Sequence, residues 1–255
     1  TTSPFAAVGS LRTTFPMGVG STTLASATVI SPFHVLTAAH PFDPNFTGGD
    51  ESNGVDFRLN FGGNQTHILT VNNVEIHPGW GSGFFNQFLN DDVAVLTLSQ
   101  AIPFGVPIYD LWSTPLTTGT TLTMVGYGAP GVGDVGITGS ADFAIKRSGQ
   151  NNADTFITDD ETFGFNEVFR WDFDGGAANN WMGGMSLGND IETGLTPGDS
   201  GGPAFFDDGG VLKIAGVNTV TDSLIFGSTN TSMMMSAWQR GVATVDMLIE
   251  EAIAV

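Results

Sequence analysis

The chain contains no cysteine, which excludes a disulfide framework and any metal site built on thiolates. At 255 residues, 41% of them hydrophobic, it can fill a core without such cross-links. Positive charge is nearly as scarce: 7 Lys and Arg stand against 26 Asp and Glu, a formal net charge of −19. Such a surface repels phosphate backbones and anionic bilayers, so neither nucleic acid nor a membrane is an expected partner. It favours solubility and is expected to tolerate salty surroundings. No run of about 18 apolar residues, the length that crosses a bilayer as a helix, occurs. Thr1-Thr2-Ser3-Pro4 has neither a charged n-region nor an apolar h-region, as expected of a chain whose signal peptide has been removed.

What is abundant is glycine, 35 residues, with Thr and Asn between short apolar runs. Leu24 to Ile30, Val93 to Leu98, Thr121 to Tyr127 and Leu212 to Val217 are rich in β-branched residues and bounded by turn formers, the pattern of short antiparallel strands. Helical periodicity comes only at the end, where Trp238, Val242, Val245, Leu248, Ile249 and Ile253 recur at three- and four-residue spacings. A turn-rich break at Asp110 to Pro115 divides the chain into similar halves. Asp43 to Asn53 and Asn151 to Asn189 read as loops.

The strongest local signal is Gly198-Asp199-Ser200-Gly201-Gly202-Pro203. Glycine costs conformational entropy, so a serine among glycines needs a reason. A tight turn that presents Ser200 and leaves amide N–H groups facing a bound carbonyl is one; an ordinary glycine-rich turn is the plainer alternative. The spacing also fits G-x-S-x-G, the nucleophile elbow of α/β-hydrolases, which places the histidine after the serine. All four histidines, His34, His40, His67 and His77, precede Ser200, so that reading fails. The subtilisin order needs an acid before the histidine, yet the first acid is Asp43, after His40. The order His, Asp, Ser remains.

Thr37-Ala38-Ala39-His40 follows a strand-like run, and its small residues let an imidazole lie against the neighbouring backbone. His34 and His77 read as turn residues, and His67, beside Ile68, as an exposed strand residue. Asn90-Asp91-Asp92-Val93-Ala94-Val95-Leu96 sets a carboxylate directly before a strand; a buried Asp needs a partner, and an imidazole N–H is suited to it. Asp92 is the candidate, and Asp91 reads as a solvated turn acid.

These three blocks, in this order, resemble the signatures of the trypsin/chymotrypsin serine protease family. Ser3-Pro4-Phe5, Ile76-His77-Pro78, Val125-Gly126-Tyr127-Gly128 and the C-terminal helix extend the resemblance over nearly the whole chain. It implies an all-β fold of two antiparallel six-stranded β-barrels with a C-terminal helix. The barrels would span 1–112, with His40 and Asp92, and 113–235, with Ser200 and the specificity pocket; the helix would span 236–255. His40 would be the base and then the acid, Asp92 would fix its tautomer, and Ser200 would be the nucleophile. The amides of Gly198 and Ser200 would form the oxyanion hole. Asp199 would match the carboxylate that pairs with a freed N-terminus in animal members. Thr1 lies too close to the first strand to reach it, so Asp199 is expected to be satisfied otherwise unless residues preceding Thr1 are lacking. Pro41 stands where animal members have a Cys, as in bacterial, disulfide-free members.

The substrate pocket would be formed by Gly194, Leu195, Thr219, Val220 and Thr221. No carboxylate stands at Gly194, although Glu192 is near, and no histidine follows His77 to serve a glutamate-specific wall. Branched Val220 and Thr221 would narrow the slot, so cleavage after neutral small or medium apolar residues is expected. The implied protein is a secreted, monomeric endopeptidase acting on proteins or peptides without a cofactor. A catalytically silent binding protein, or an esterase using the same triad, is the alternative. Asp172-Phe173-Asp174-Gly175-Gly176 lacks the ligand register of an EF-hand and reads as a solvated acidic loop, with structural calcium as the other possibility.

Overall fold

The apolar runs become strands. The computed structural model describes residues 3–16, 22–61, 64–81, 90–132, 135–158, 166–174, 182–222 and 229–234. Six strands make the first half: β1 (Val8–Thr14), β2 (Thr22–Val29), β3 (His34–Thr37), β4 (Gly54–Phe61), β5 (Asn64–Ile76) and β6 (Ala94–Leu98). They close into an antiparallel barrel in the order β1-β2-β3-β6-β5-β4. Alanine and branched residues fill its interior, because alternate side chains of each strand must face inward in a small barrel: Leu11, Ala25, Ala27, Phe57, Leu59 and Leu96 are all fully buried.

The second half contributes β7 (Thr121–Gly126), a small hairpin of β8 (Gly131–Val132) and β9 (Gly136–Ile137), then β10 (Arg147–Asn152), β11 (Thr155–Thr158), β12 (Asn166–Asp172), β13 (Pro203–Asp208), β14 (Val211–Asp222) and β15 (Thr229–Met234). Apart from the hairpin these form a seven-stranded sheet, β10-β7-β13-β14-β15-β12-β11. Of the expected pair of six-stranded barrels, the first is present and closed, while the second half forms a sheet among the described residues. The sheet's edges meet at Ala153 and Asp154. The two edge strands, β10 and β11, are consecutive in the chain and joined through this pair, so the sheet bends back on itself without a ladder between its edges. The corner's amides are used elsewhere: Ala153 donates to the Thr120 carbonyl and Asp154 to that of Arg170, both at 2.9 Å.

β11 and β12 also correct the reading of 151–189 as one loop. The expected helix over 236–255 lies outside the described residues, and no helix occurs among those that are described. One buried cluster runs from the barrel into the sheet, taking in Phe205, Ile214 and Val217. A second, around Leu122, Phe169, Trp171 and Ala215, lies within the sheet.

Candidate active site

Strand register brings His40 and Asp92 together. β3 pairs antiparallel with β6, Thr37 opposite Ala94, so His40, three residues beyond one strand, meets Asp92, two residues before the other. His40 Nδ1 lies 2.7 Å from Asp92 Oδ2. A carboxylate only accepts, so the proton sits on Nδ1 and Nε2 is left as an acceptor. Asp92 Oδ1 accepts the amides of Ala39 and His40, each at 2.8 Å. The carboxylate therefore has three donors although its side chain is only 2% exposed, whereas the imidazole is 29% exposed. Burial of that charge is answered by hydrogen bonds, as it must be.

The loop that carries Ser200 packs on β2 and the end of β3. Ser26, on β2, donates its amide to the Ser200 carbonyl at 2.7 Å and its hydroxyl to the Gly198 carbonyl at 2.8 Å, while accepting the Tyr127 amide at 3.0 Å. Sequence reading missed Ser26; a buried serine in an apolar strand was its only signal. Gly198 (φ 103°) and Gly201 (φ 79°) occupy backbone space that side-chain-bearing residues rarely adopt. A Cβ on Gly201 would enter Thr37 and come within 2.9 Å of the Ala38 nitrogen, so glycine lets Ser200 approach the segment leading to His40. Among the described residues, the amides of Gly198 and Ser200 meet no acceptor. The Ser200 hydroxyl points to the Thr219 carbonyl, 3.5 Å away.

Asp199 is satisfied within its own neighbourhood. Its carboxylate accepts the Gly128 amide (2.8 Å) and the Thr196 amide and hydroxyl (both 2.9 Å). Burial pushes this carboxyl above its usual range, against the pull of the Thr196 and Gly128 donors and of nearby Arg147. Gly194 and Leu195 line a cavity of about 690 Å³ with Thr196, Asp199, Arg147 and Asn218. Thr219, buried on β14, is not part of its wall. The side chains of Val220 and Thr221 lie outside the described residues.

Three readings are corrected. His77 does open a turn, closed by the Trp80 amide on its carbonyl at 3.0 Å, but Asp91 is not a solvated turn acid: it is buried, with His77 Nδ1 2.8 Å from its Oδ1. His34 opens β3, buried, with Nδ1 2.6 Å from the Ser31 hydroxyl. Asp172 and Asp174 are buried too, beside Asp154 and Glu192. The neighbouring segment 182–188 covers these acids: Met182 donates its amide to Asp172, and Ser186 and Leu187 donate to Glu192. Burial, with repulsion from Asp172 and Asp174, raises the Asp154 carboxyl to about 7. Burial, with repulsion from Asp172 and Glu192, raises Asp174 to about 6. Among the described residues, no three acids or histidines converge to hold a metal ion.

The fold is shared with solved proteases. Protease Anisep from Arthrobacter nicotinovorans superposes with a TM-score of 0.62 at 16% identity, covering 95% of each chain. The thermostable serine protease AL20 from an extremophilic microorganism gives 0.61 at 14%, covering 94% of this chain and 98% of its own. A Glu endopeptidase gives 0.62 at 17%, covering 99% and 93%. At such identities the likeness establishes the fold. The family model for a trypsin-like peptidase domain matches residues 25–212, most of the chain, and with that match this cysteine-free protein belongs to the trypsin-like peptidase family.

Proposed function

We propose that the chain is a serine endopeptidase that cleaves peptide bonds through an acyl-enzyme on Ser200, with His40 as base and Asp92 as its orienting carboxylate. The observation that carries this reading is the 2.7 Å contact between His40 Nδ1 and the buried, amide-saturated Asp92. It leaves Nε2 as the one imidazole nitrogen able to take a proton. For the reaction the Ser200 hydroxyl turns from the Thr219 carbonyl to His40; catalytic hydrogen bonds often close only with substrate bound. Nε2 then accepts the hydroxyl proton as Oγ attacks the carbonyl carbon. The oxyanion is received by the Gly198 and Ser200 amides. Collapse of the tetrahedral intermediate passes the proton to the departing amine, and water repeats the sequence to free the acid and regenerate Ser200.

Cleavage after neutral small or medium apolar residues is the specificity we assign. Glu192 does not offer a free anion to Arg or Lys: its carboxylate accepts the Asp174 amide (2.6 Å), the Ser186 hydroxyl (2.5 Å) and the Leu187 amide (3.1 Å). The enzyme is read as a secreted monomer acting on proteins or peptides without a cofactor. Casein digestion by Ser200→Ala tests the central claim. A fall of about 10⁴-fold or more is expected if the three residues act as a unit, together with loss of the covalent adduct that a serine-directed sulfonyl fluoride forms. Digestion at the wild-type rate would sink the reading.

A further inference from the structure

Next to the His40–Asp92 pair in the chain stands a second histidine–carboxylate pair that touches none of the reacting groups. His77 Nδ1 is 2.8 Å from Asp91 Oδ1. The Gly79 amide also points at this nitrogen, at 3.2 Å. The shorter contact, to a group that can only accept, places the proton on Nδ1 and makes the Gly79 contact the lesser one. The backbone amide of His77 meanwhile donates to the Val93 carbonyl at 3.0 Å. One residue therefore holds the neighbours of Asp92 on both sides, Asp91 through its ring and Val93 through its main chain. Between them the Val93 amide closes a tight turn on the Asp91 carbonyl, at 2.7 Å, with Asp92 at its apex.

Three further features show that this arrangement is specified. Asp91 has φ 58°, left-handed backbone that a non-glycine residue seldom adopts unless its surroundings hold it there. Gly79 leaves room for the Asp91 carboxylate, since a Cβ there would stand 2.6 Å from its Cγ. The Asp91 amide donates to Glu167 Oε1 at 3.3 Å, from a glutamate on β12 in the other half of the molecule. Asp91 and Glu167 are both less than 5% exposed.

We propose that His77 and Asp91 are positioning residues that bracket Asp92 and fix the direction from which its carboxylate meets His40. This rests on the peptidase reading, because it gives Asp92 a task that needs such placement. A displacement of about 1 Å at a catalytic group costs on the order of 100-fold in rate, so the bracket should be visible in turnover. The test uses the full chain and four variants. Asp91→Gly and Asp91→Asn both suit a positive φ, and only Asn keeps an acceptor for His77. His77→Phe keeps the ring shape and the main-chain bond but loses the donor, whereas His77→Asn retains a donor close to Nδ1.

Expected for Asp91→Gly and His77→Phe is a kcat lower by about 10- to 100-fold on a peptide substrate, with KM within about twofold. The low-field NMR resonance of the His40 Nδ1 proton should shift or broaden in both. Asp91→Asn and His77→Asn should restore most of kcat and the resonance. Wild-type kcat and an unmoved resonance in either Asp91→Gly or His77→Phe would overturn the bracket; if one lacks a cooperative thermal transition, the other decides. Absence of turnover in the wild-type chain would instead sink the peptidase reading, and the resonance would still judge the bracket.

Discussion

The two halves of the molecule surround their buried acidic side chains with different company. In the barrel each buried carboxylate is answered by donors. Asp92 has two amides and an imidazole, and Asp91 has His77. Asp43 accepts the amides of Thr47 and Gly48, the Thr47 hydroxyl and the Trp80 indole N–H. In the sheet half, Asp199 and Glu192 are met by three donors each, but two acids stand against other acids: burial raises Asp154 with repulsion from Asp172 and Asp174, and raises Asp174 with repulsion from Asp172 and Glu192. With a net charge of −19, burying acids is hard to avoid. A carboxylate that must hold a direction is surrounded by donors; one that only fills space can keep its proton.

The sharpest way to break this contrast is Asp92→Asn. Losing the carboxylate frees His40 to adopt the wrong tautomer, and a loss of about 10⁴-fold in kcat is expected, measured on a chromogenic peptide. An active Asp92→Asn enzyme would show that the donors around Asp92 serve folding alone.

Gly201→Ala ranks next. It forces a side chain into left-handed backbone, a cost of roughly 1–2 kcal/mol, and drives it into Thr37 and the Ala38 amide. A fall in Tm of about 10 °C is expected for several kcal/mol in a chain of this size, by calorimetry. An unchanged Tm would mean that the nucleophile loop is not seated on the barrel as described.

Asp154→Asn should act in the other direction and more weakly. A carboxyl raised to about 7 when folded retains a proton that the unfolded chain releases near pH 4. The unfolded state thus binds fewer protons between those values, and stability falls as pH rises through them. An amide in that place should raise Tm by a few degrees, about 1 kcal/mol, at pH 8, and the gain should vanish below pH 4 or so. A loss of Tm at pH 8 would show that the Asp154 carboxylate is matched by donors, as those of the barrel are.

How much of this was legible in the sequence follows from how local each signal is. Thr37 to His40, Asp92 to Leu96 and Gly198 to Pro203 carry their geometry in contiguous residues, because a strand end or a tight turn is set by its own side chains. The strands followed from β-branched runs. Asp91 was misread, and its pairing with the turn residue His77 was missed, because a turn acid looks solvated until the chain folds a partner onto it. The acids of the sheet were misread for a similar reason: nothing in Asp172 to Asp174 announces that residues 182–188 will cover them. Ser26 on β2 is the same case, a hydroxyl whose partners lie more than one hundred residues away.

The corner at Ala153 and Asp154 matters for a peptidase in a further respect. A chain released among copies of itself survives if its scissile stretches cannot straighten and thread into a neighbour's cleft. This corner joins the sheet's two edge strands, and a nick there would sever that join. It is buried and its amides are already bonded, so a protease reaches this join only once its target has begun to unfold.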